Sequence, residues 1–134
     1  MELILAVACD DARTRPDGKL DLVGVFNELH APGFPAAQER MTVVFVLQWE
    51  RDANGRKPFR ADLVDADGRK ALTIEGHTDV DTRGGDRAPA QTRLIMPLEN
   101  VVFPHPGRYE FRIEADGEEH HALSLHLTER PDEG

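Results

Sequence analysis

Residues 107–115 alternate strictly between inward apolar or small side chains and charged ones. The large apolar positions share one face of an extended chain: Tyr109, Phe111 and Ile113. Because successive side chains of a β-strand point to opposite faces, this period predicts a half-buried strand with its apolar face inward. Segment 121–127 repeats the pattern, and Asp116–Gly117 suits a tight turn between the two, so a hairpin is predicted.

The same turn signals recur and divide the chain into short apolar segments. Asp17–Gly18, Asn54–Gly55 and Asp67–Gly68 each separate two such segments. Eight strands are predicted in this way: 2–9, 19–27, 41–50, 58–65, 70–76, 91–98, 107–115 and 121–127. Segment 41–50 is apolar on both faces, which is typical of a central strand. No helical period stands out, and the only helical option is one turn near 36–40.

Many short strands separated by glycine-marked turns predict a sandwich of two sheets or a closed barrel. The segment Pro106–Gly107–Arg108–Tyr109 opens the penultimate predicted strand, where immunoglobulin-like sandwiches carry a tyrosine corner. In such a corner the hydroxyl bonds back to the main chain, here expected near residues 103–106. We therefore predict an all-β, immunoglobulin-like antiparallel β-sandwich of about eight strands, with Tyr109 as its structural corner. An eight-stranded up-and-down barrel is the alternative.

A chain of 134 residues has the size of a single domain with one core. We predict one sandwich domain over residues 1–128 and a disordered tail over 129–134. The long connection 77–90 is polar and rich in glycine, so it is predicted to be more mobile than the strands beside it.

The formal net charge is −9, from 25 acidic and 16 basic residues. Clustered Lys and Arg bind phosphate backbones and anionic lipid, so neither nucleic acid nor a membrane is expected as a partner. No apolar run approaches the roughly 20 residues of a membrane-spanning helix, and no targeting segment is recognised. Cys9 is the only cysteine, which rules out a disulfide within the chain and favours the cytoplasm. It ends an apolar strand and is expected to be a small core residue.

Short motifs recur at turns and strand ends along the chain: Cys9–Asp10–Asp11, Gly18–Lys19, Gly24–Val25–Phe26, Phe34–Pro35, Phe103–Pro104 and Pro106–Gly107–Arg108–Tyr109–Glu110–Phe111. With them the chain, from about Leu3 to Leu127, resembles a family of small uncharacterised bacterial proteins, a domain of unknown function. The resemblance implies a bacterial, cytoplasmic β-sandwich. It implies no activity, and no catalytic or binding residue is carried over from it.

The sequence lacks the residue arrangements that catalysis requires. The only serine, Ser124, lies in an alternating strand without the flanking glycines of a nucleophile elbow. Gly84–Gly85 lacks the Lys and Ser or Thr of a phosphate-binding loop. The six histidines show no spacing that suits zinc. We therefore predict no catalytic residue and no cofactor, and the sequence favours a protein that is not an enzyme.

Loop carboxylates form the weaker of two candidate sites. If every connection reverses the chain direction, loops alternate between the two ends of the domain, and one end collects 10–18, 51–57, 77–90 and 115–119. This end is acidic, and its metal candidates are Asp10, Asp11, Asp52 and Asp116. Converging carboxylates can bind Ca²⁺, but aspartate is also common in β-turns because it caps its own backbone. The sequence contains no complete Ca²⁺-binding loop.

The opposite end collects 28–40, 65–69 and 99–106 and is the stronger candidate. It offers His30, Phe34, Phe103 and His105 among several prolines. Two interpretations are open: the Phe–Pro pairs fold back as a lid over the core, or they form a small apolar patch for a partner protein. We predict a non-catalytic protein-interaction or scaffold module that binds a partner or a second copy of itself. The alternative is a metal- or small-ligand-binding sandwich that uses the acidic end.

Overall fold

The structure is a computed structural model, and it describes residues 1–82, 85 and 87–130. Within these ranges the chain is all-β and contains no helix, which confirms the predicted class. Ten strands follow one another: β1 (Glu2–Cys9), β2 (Asp11–Thr14), β3 (Leu20–Val23), β4 (Glu28–Ala31), β5 (Ala36–Gln48), β6 (Gly55–Asp65), β7 (Lys70–Val80), β8 (Gln91–Phe103), β9 (Gly107–Ala115) and β10 (Glu118–Glu129).

Two sheets pack face to face, so the predicted sandwich is confirmed. One sheet has three strands in the order β1–β5–β8, and the other has five in the order β4–β10–β9–β6–β7. Their inward faces share one core, in which the rings of Phe45 and Phe111 meet edge to face with 6.2 Å between centroids. Because the strands divide into separate sheets, the alternative of a single closed barrel is wrong.

A small hairpin of β2 and β3 covers the outer face of the three-stranded sheet. Val44 and Val46 of β5 point to this face and are buried beneath apolar side chains of the hairpin, including Leu20 and Leu22. The alternate positions of β5 face the main core between the two sheets. This additional layer is the reason that segment 41–50 is apolar on both faces.

Residues 10–40 depart from the predicted strands because the chain changes sheets there. β1 belongs to the three-stranded sheet, whereas β4 joins the five-stranded sheet beside β10 in a parallel register. The sandwich is therefore not purely antiparallel, and it has ten described strands rather than about eight. The helical turn proposed near 36–40 is wrong, since these residues begin β5 and pair with the end of β8, which satisfies their main-chain groups.

The connection predicted at 77–90 is shorter in the structure. Its first four residues extend β7, and Val80 is buried against Trp49. Its last residue, Ala90, accepts a hydrogen bond from the Trp49 main-chain N–H at 2.9 Å. Positions 83, 84 and 86 lie outside the described residues. Deleting the whole of 77–90 would thus remove part of a strand, contrary to the expectation of a loop throughout.

The tail predicted to be disordered over 129–134 does not begin at residue 129. Glu129 belongs to β10 and pairs with Ala31 of β4, and the Arg130 main-chain N–H donates to the Ala31 carbonyl at 2.8 Å. Residues 131–134 lie outside the described part of the chain. None of the described residues forms a helix that is long and apolar enough to cross a membrane.

Candidate functional site

Tyr109 forms a corner at the start of β9. Its ring is fully buried, and its hydroxyl donates a hydrogen bond to the His105 carbonyl at 2.8 Å. The same hydroxyl accepts from the His105 main-chain N–H at 3.3 Å. Burial raises the pKa of the phenol, so the hydroxyl keeps its proton and remains a donor. This is the bond back to the main chain that the sequence predicts.

His105 ties this corner to the turn between β6 and β7. Its Nε2 lies 3.2 Å from Asp65 Oδ2, and its Nδ1 lies 3.3 Å from the Pro106 carbonyl oxygen. The Asp65 carboxylate also accepts hydrogen bonds from the main-chain N–H groups of Arg69 and Asp67. The pKa of Asp65 is held below its ordinary value, first by the hydrogen bond from Arg69 and then by those from Asp67 and His105. Both ring nitrogens of His105 therefore contact oxygen atoms within the domain.

The four residues proposed as a partner patch do not form one exposed surface. Phe103 is 1% exposed and packs its ring against Tyr109, with 5.1 Å between centroids. Phe34 is half-buried and packs against the same core. His30 is exposed on β4, and His105 is the structural tie described above. The patch interpretation is corrected to that of a core lid, because the Phe103 ring is buried away from water and Phe34 packs against the same core.

The four aspartates proposed as metal ligands lie in two separate places. Asp10 and Asp11 follow the end of β1, whereas Asp52 and Asp116 lie in turns near the start of that strand, where Glu2 pairs with the end of β5. A hydrogen bond from Arg13 at 2.9 Å lowers the pKa of the Asp11 carboxyl. Across the described residues, no group of three His, Cys, Asp or Glu side chains is placed to hold a metal ion.

Cys9 lies on the hairpin side of β1, fully buried against Val44 and Val46. Its Sγ is 3.6 Å from the Thr42 carbonyl oxygen. Burial, and then the negative charge of Asp10, raises the pKa of the thiol. Because the thiolate is the reactive form of cysteine, this side chain is a core residue, as the sequence predicts, and not an activated nucleophile.

The motifs Cys9–Asp10–Asp11 and Gly24–Val25–Phe26 meet where the chain leaves the three-stranded sheet. The Asp10 main-chain N–H donates to the Val23 carbonyl, and the Phe26 N–H donates to the Ala8 carbonyl, each at 2.9 Å. Gly24 has a φ of 66°, and a Cβ at this position would overlap the Asp10 carboxylate. These motifs hold the hairpin onto the sheet, so their residue types follow from packing.

Ion pairs occupy the outer face of the five-stranded sheet. Asp62 accepts hydrogen bonds from Thr73 at 2.7 Å and from Arg60 at 3.2 Å, and Lys70 lies 3.6 Å away. Burial alone would raise the pKa of Asp62, but these donors and cations lower it below its ordinary value. Arg60 also reaches Glu114 at 2.8 Å. The charges of Asp62, Arg60 and Glu114 are therefore paired within the domain.

An open groove separates the edges of β1 and β10 beside the two motifs. It is a cavity of about 240 Å³, and its lining includes Ala6 and Ala8 of β1, Val25 and Phe26, and Leu123 of β10. One end is closed by the bridge between Ala8 and Phe26. Val25 is 56% exposed although it is apolar. A concave apolar surface of this kind is typical of a binding site.

Main-chain groups line the groove as well. The Ala8 carbonyl accepts from Phe26 on the side of β1 that faces away from β5. Strand main-chain groups alternate direction from residue to residue, so Ala6 turns its N–H and carbonyl to that same side. On β10 the His126 N–H donates to the Asn27 carbonyl, in the segment that leads into β4. Ser124 lies two residues before His126, so its main-chain N–H and carbonyl also face the groove. No strand of the described chain pairs with Ala6 or Ser124 there.

Two β-bulges limit these unpaired edges. The register of β1 with β5 shifts at Ile4, and the register of β10 with β9 shifts at Ala122. Bulges bend an edge away from regular pairing and protect it against open-ended strand addition. The edge that remains available is therefore short, about residues 5–7 of β1 and 123–125 of β10.

A family model described as a family of unknown function, DUF6941, matches residues 4–128. The chain belongs to DUF6941. The match runs from β1 to β10 of this DUF6941 chain and confirms the resemblance to a family of unknown function. No curated protein matches the chain.

The sequence analysis missed the groove of this DUF6941 domain. Its two edges are more than a hundred residues apart in the chain and come together only when the sheets pack. The one local signal is the apolar pair Val23 and Val25 around Gly24, which is 52% and 56% exposed in the structure. Within the predicted strand 19–27 that pair is indistinguishable from residues of a buried strand.

Proposed function

We propose that the domain is a non-catalytic protein-interaction module that binds a short extended segment of a partner in the groove between β1 and β10. The observation that carries the proposal is the coincidence of exposed apolar lining and unpaired main-chain groups at one place. Apolar side chains of the segment would fill the cavity beside Val25 and Leu123, and its main chain would pair with Ala6 or Ser124. In this recognition mode the main chain supplies affinity and the side-chain pockets supply specificity.

The bulges favour a partner segment over a second copy of the chain. A long regular edge would pair with its own copy, whereas Ile4 and Ala122 interrupt both edges that face the groove. The net charge of −9 also opposes close approach of two copies. The remaining window suits roughly three to five residues of extended chain.

The positions of the reactive side chains support binding in preference to catalysis. The Cys9 thiol is buried, and the Tyr109 hydroxyl is engaged by the His105 main chain. The His105 ring contacts Asp65 and Pro106. Each of these groups is used within the fold.

We also propose that the sandwich is of the immunoglobulin type and that it works in the cytoplasm. The first proposal is supported by the corner at Tyr109, at the start of the penultimate strand. The second is supported by Cys9, the sole cysteine, which packs in the core as a thiol.

Exposed substitutions in the groove test the main proposal without disturbing the core. Val25→Asp places a charge in the apolar lining. Val102→Asp is the matched control, because Val102 is 51% exposed on β8, outside the groove lining. Seven-residue peptides selected from a random display library on the wild-type domain should bind Val102→Asp normally and Val25→Asp at least about ten-fold more weakly, since a buried charge opposes apolar docking. Equal binding to both variants would refute the proposal.

Ala6→Pro tests main-chain pairing separately. Proline removes the N–H that faces the groove and is tolerated on an edge where that N–H is not part of the ladder. Val7→Pro is the contrasting variant, since it removes an N–H that faces β5 and should destabilise the sheet. Ala6→Pro should keep the wild-type circular dichroism spectrum and lose affinity for the selected peptides. Unchanged affinity in a folded Ala6→Pro domain would show that β1 takes no part.

A further inference from the structure

We infer that the segment bound in this groove carries a Lys or Arg beside its apolar side chain. The inference rests on the proposed function and adds the chemical class of the partner segment. The lining residues include no charged side chain, so charge selectivity must come from residues that flank the groove.

Acidic side chains flank one end of the groove. Glu28 directly follows Asn27, which lines the groove, and Asp10 packs at the strand end that leads to Val25. Both carboxylates are exposed, and neither forms an ion pair with another residue of the described chain. Their charges therefore remain available to a partner.

One cation, Arg108, contacts the groove through Ser124. Arg108 donates to Ser124 Oγ at 3.0 Å and lies 3.7 Å from Glu110. Glu110 also pairs with Arg112 at 2.9 Å, so it opposes the charge of Arg108 only in part, whereas Asp10 and Glu28 have no ion-pair partner in the described chain. The chain net charge of −9 adds a long-range negative potential to that of these two carboxylates. Such a potential speeds the approach of cationic segments and disfavours anionic ones.

Two peptide pools separate charge from shape. Both are blocked five-residue peptides with a centre of Val, Ile, Leu or Phe, and they differ only in whether Lys or Glu flanks that centre. Exposed ion pairs typically change binding by about two- to five-fold each, so two flanking charges should favour the Lys pool by about ten-fold. Binding is followed through the amide resonances of Ala6 and Ser124, and the preference should shrink at high salt.

Charge reversal at one flanking residue provides the matched test. Glu28→Lys should reduce or invert the preference for the Lys pool. Glu39→Lys changes the net charge equally at an exposed position of β5 outside the groove lining and should leave the preference intact. An equal response of both variants would mean that only net charge matters, and the assignment of the flanking carboxylates would be overturned.

The outcomes distinguish failure of this inference from failure of the proposed function. If both pools shift the amides of Ala6 and Ser124 equally, the groove binds extended segments but the basic partner is refuted. If neither pool shifts them, both the inference and the groove as a binding site fail. If the same amides shift when the protein alone is diluted, the occupant is a second copy, and the partner segment is refuted.

Discussion

Removal of one oxygen atom, by Tyr109→Phe, tests the corner that joins the two sheets. The substitution leaves the buried ring in place but deprives the His105 carbonyl of a 2.8 Å donor and the His105 N–H of a 3.3 Å acceptor. A buried polar group without a partner costs about 1–3 kcal/mol. The second bond is long and His105 is partly exposed, so water can replace part of the loss. We expect a total loss of about 1–2 kcal/mol in the free energy of unfolding.

Urea unfolding followed by fluorescence measures this loss. With an m-value of about 2 kcal/mol/M in urea, the midpoint should fall by roughly 0.5–1 M while the slope stays unchanged. Thr128→Val is the control, because it removes an exposed hydroxyl from β10 and should stay within about 0.5 kcal/mol of wild type. A midpoint for Tyr109→Phe equal to that of the control would contradict the corner.

His105→Ala distinguishes the contribution of the His105 main chain to the corner from that of its imidazole ring. The Tyr109 hydroxyl forms its hydrogen bonds with main-chain atoms of His105, which the alanine variant retains. The cost of Tyr109→Phe should therefore be the same, within about 0.5 kcal/mol, in both backgrounds. A cost that vanished in the His105→Ala background would mean that the hydroxyl depends on the imidazole and on its tie to Asp65.

Three further substitutions test the lid, the hairpin attachment and the buried carboxylate. Phe103→Ala should cost about 3–5 kcal/mol in thermal unfolding, because it empties a core position; a loss under 1 kcal/mol would restore the surface patch. Gly24→Ala should cost more than about 1 kcal/mol, since φ is positive and the new Cβ meets Asp10; a neutral effect would contradict this packing. Asp65→Asn should destabilise the domain at neutral pH. The native pKa of Asp65 is below its ordinary value of 3.8, so wild-type stability from this carboxylate is present above that pH and is lost as pH falls through the native pKa. The difference between wild type and Asp65→Asn should therefore shrink in acid, and a difference that grew in acid would refute the assignment.

Some features of the candidate sites could be predicted from the sequence, and others could not. Tyr109 could be placed from sequence because its corner joins residues only four positions apart. The burial of Phe103 could not be decided from sequence, because a Phe–Pro pair suits both a lid and a surface. The separation of Asp11 from Asp116 was also hidden, since the assumption of alternating loops fails once a hairpin lies across the sheet.

The sequence by itself determined the features that depend on neighbouring residues. Alternation over 107–115 produced a strand with Tyr109, Phe111 and Ile113 buried, and Asp116–Gly117 produced its turn with φ values of 53° and 77°. These outcomes need only the pleat of a strand and the low cost of positive φ at such residues. The all-β sandwich follows from their repetition along the chain.

Only the tertiary structure decided the path of residues 10–40 and the groove that results. An apolar strand has the same local pattern whether a sheet, a hairpin or a partner covers it, so Val44 and Val25 look alike in sequence. Val44 is buried beneath the β2–β3 hairpin, whereas Val25 remains exposed beside the unpaired edges of β1 and β10. The free energy that selects between these environments comes from packing segments that are distant in the chain, and no local pattern records which segments meet.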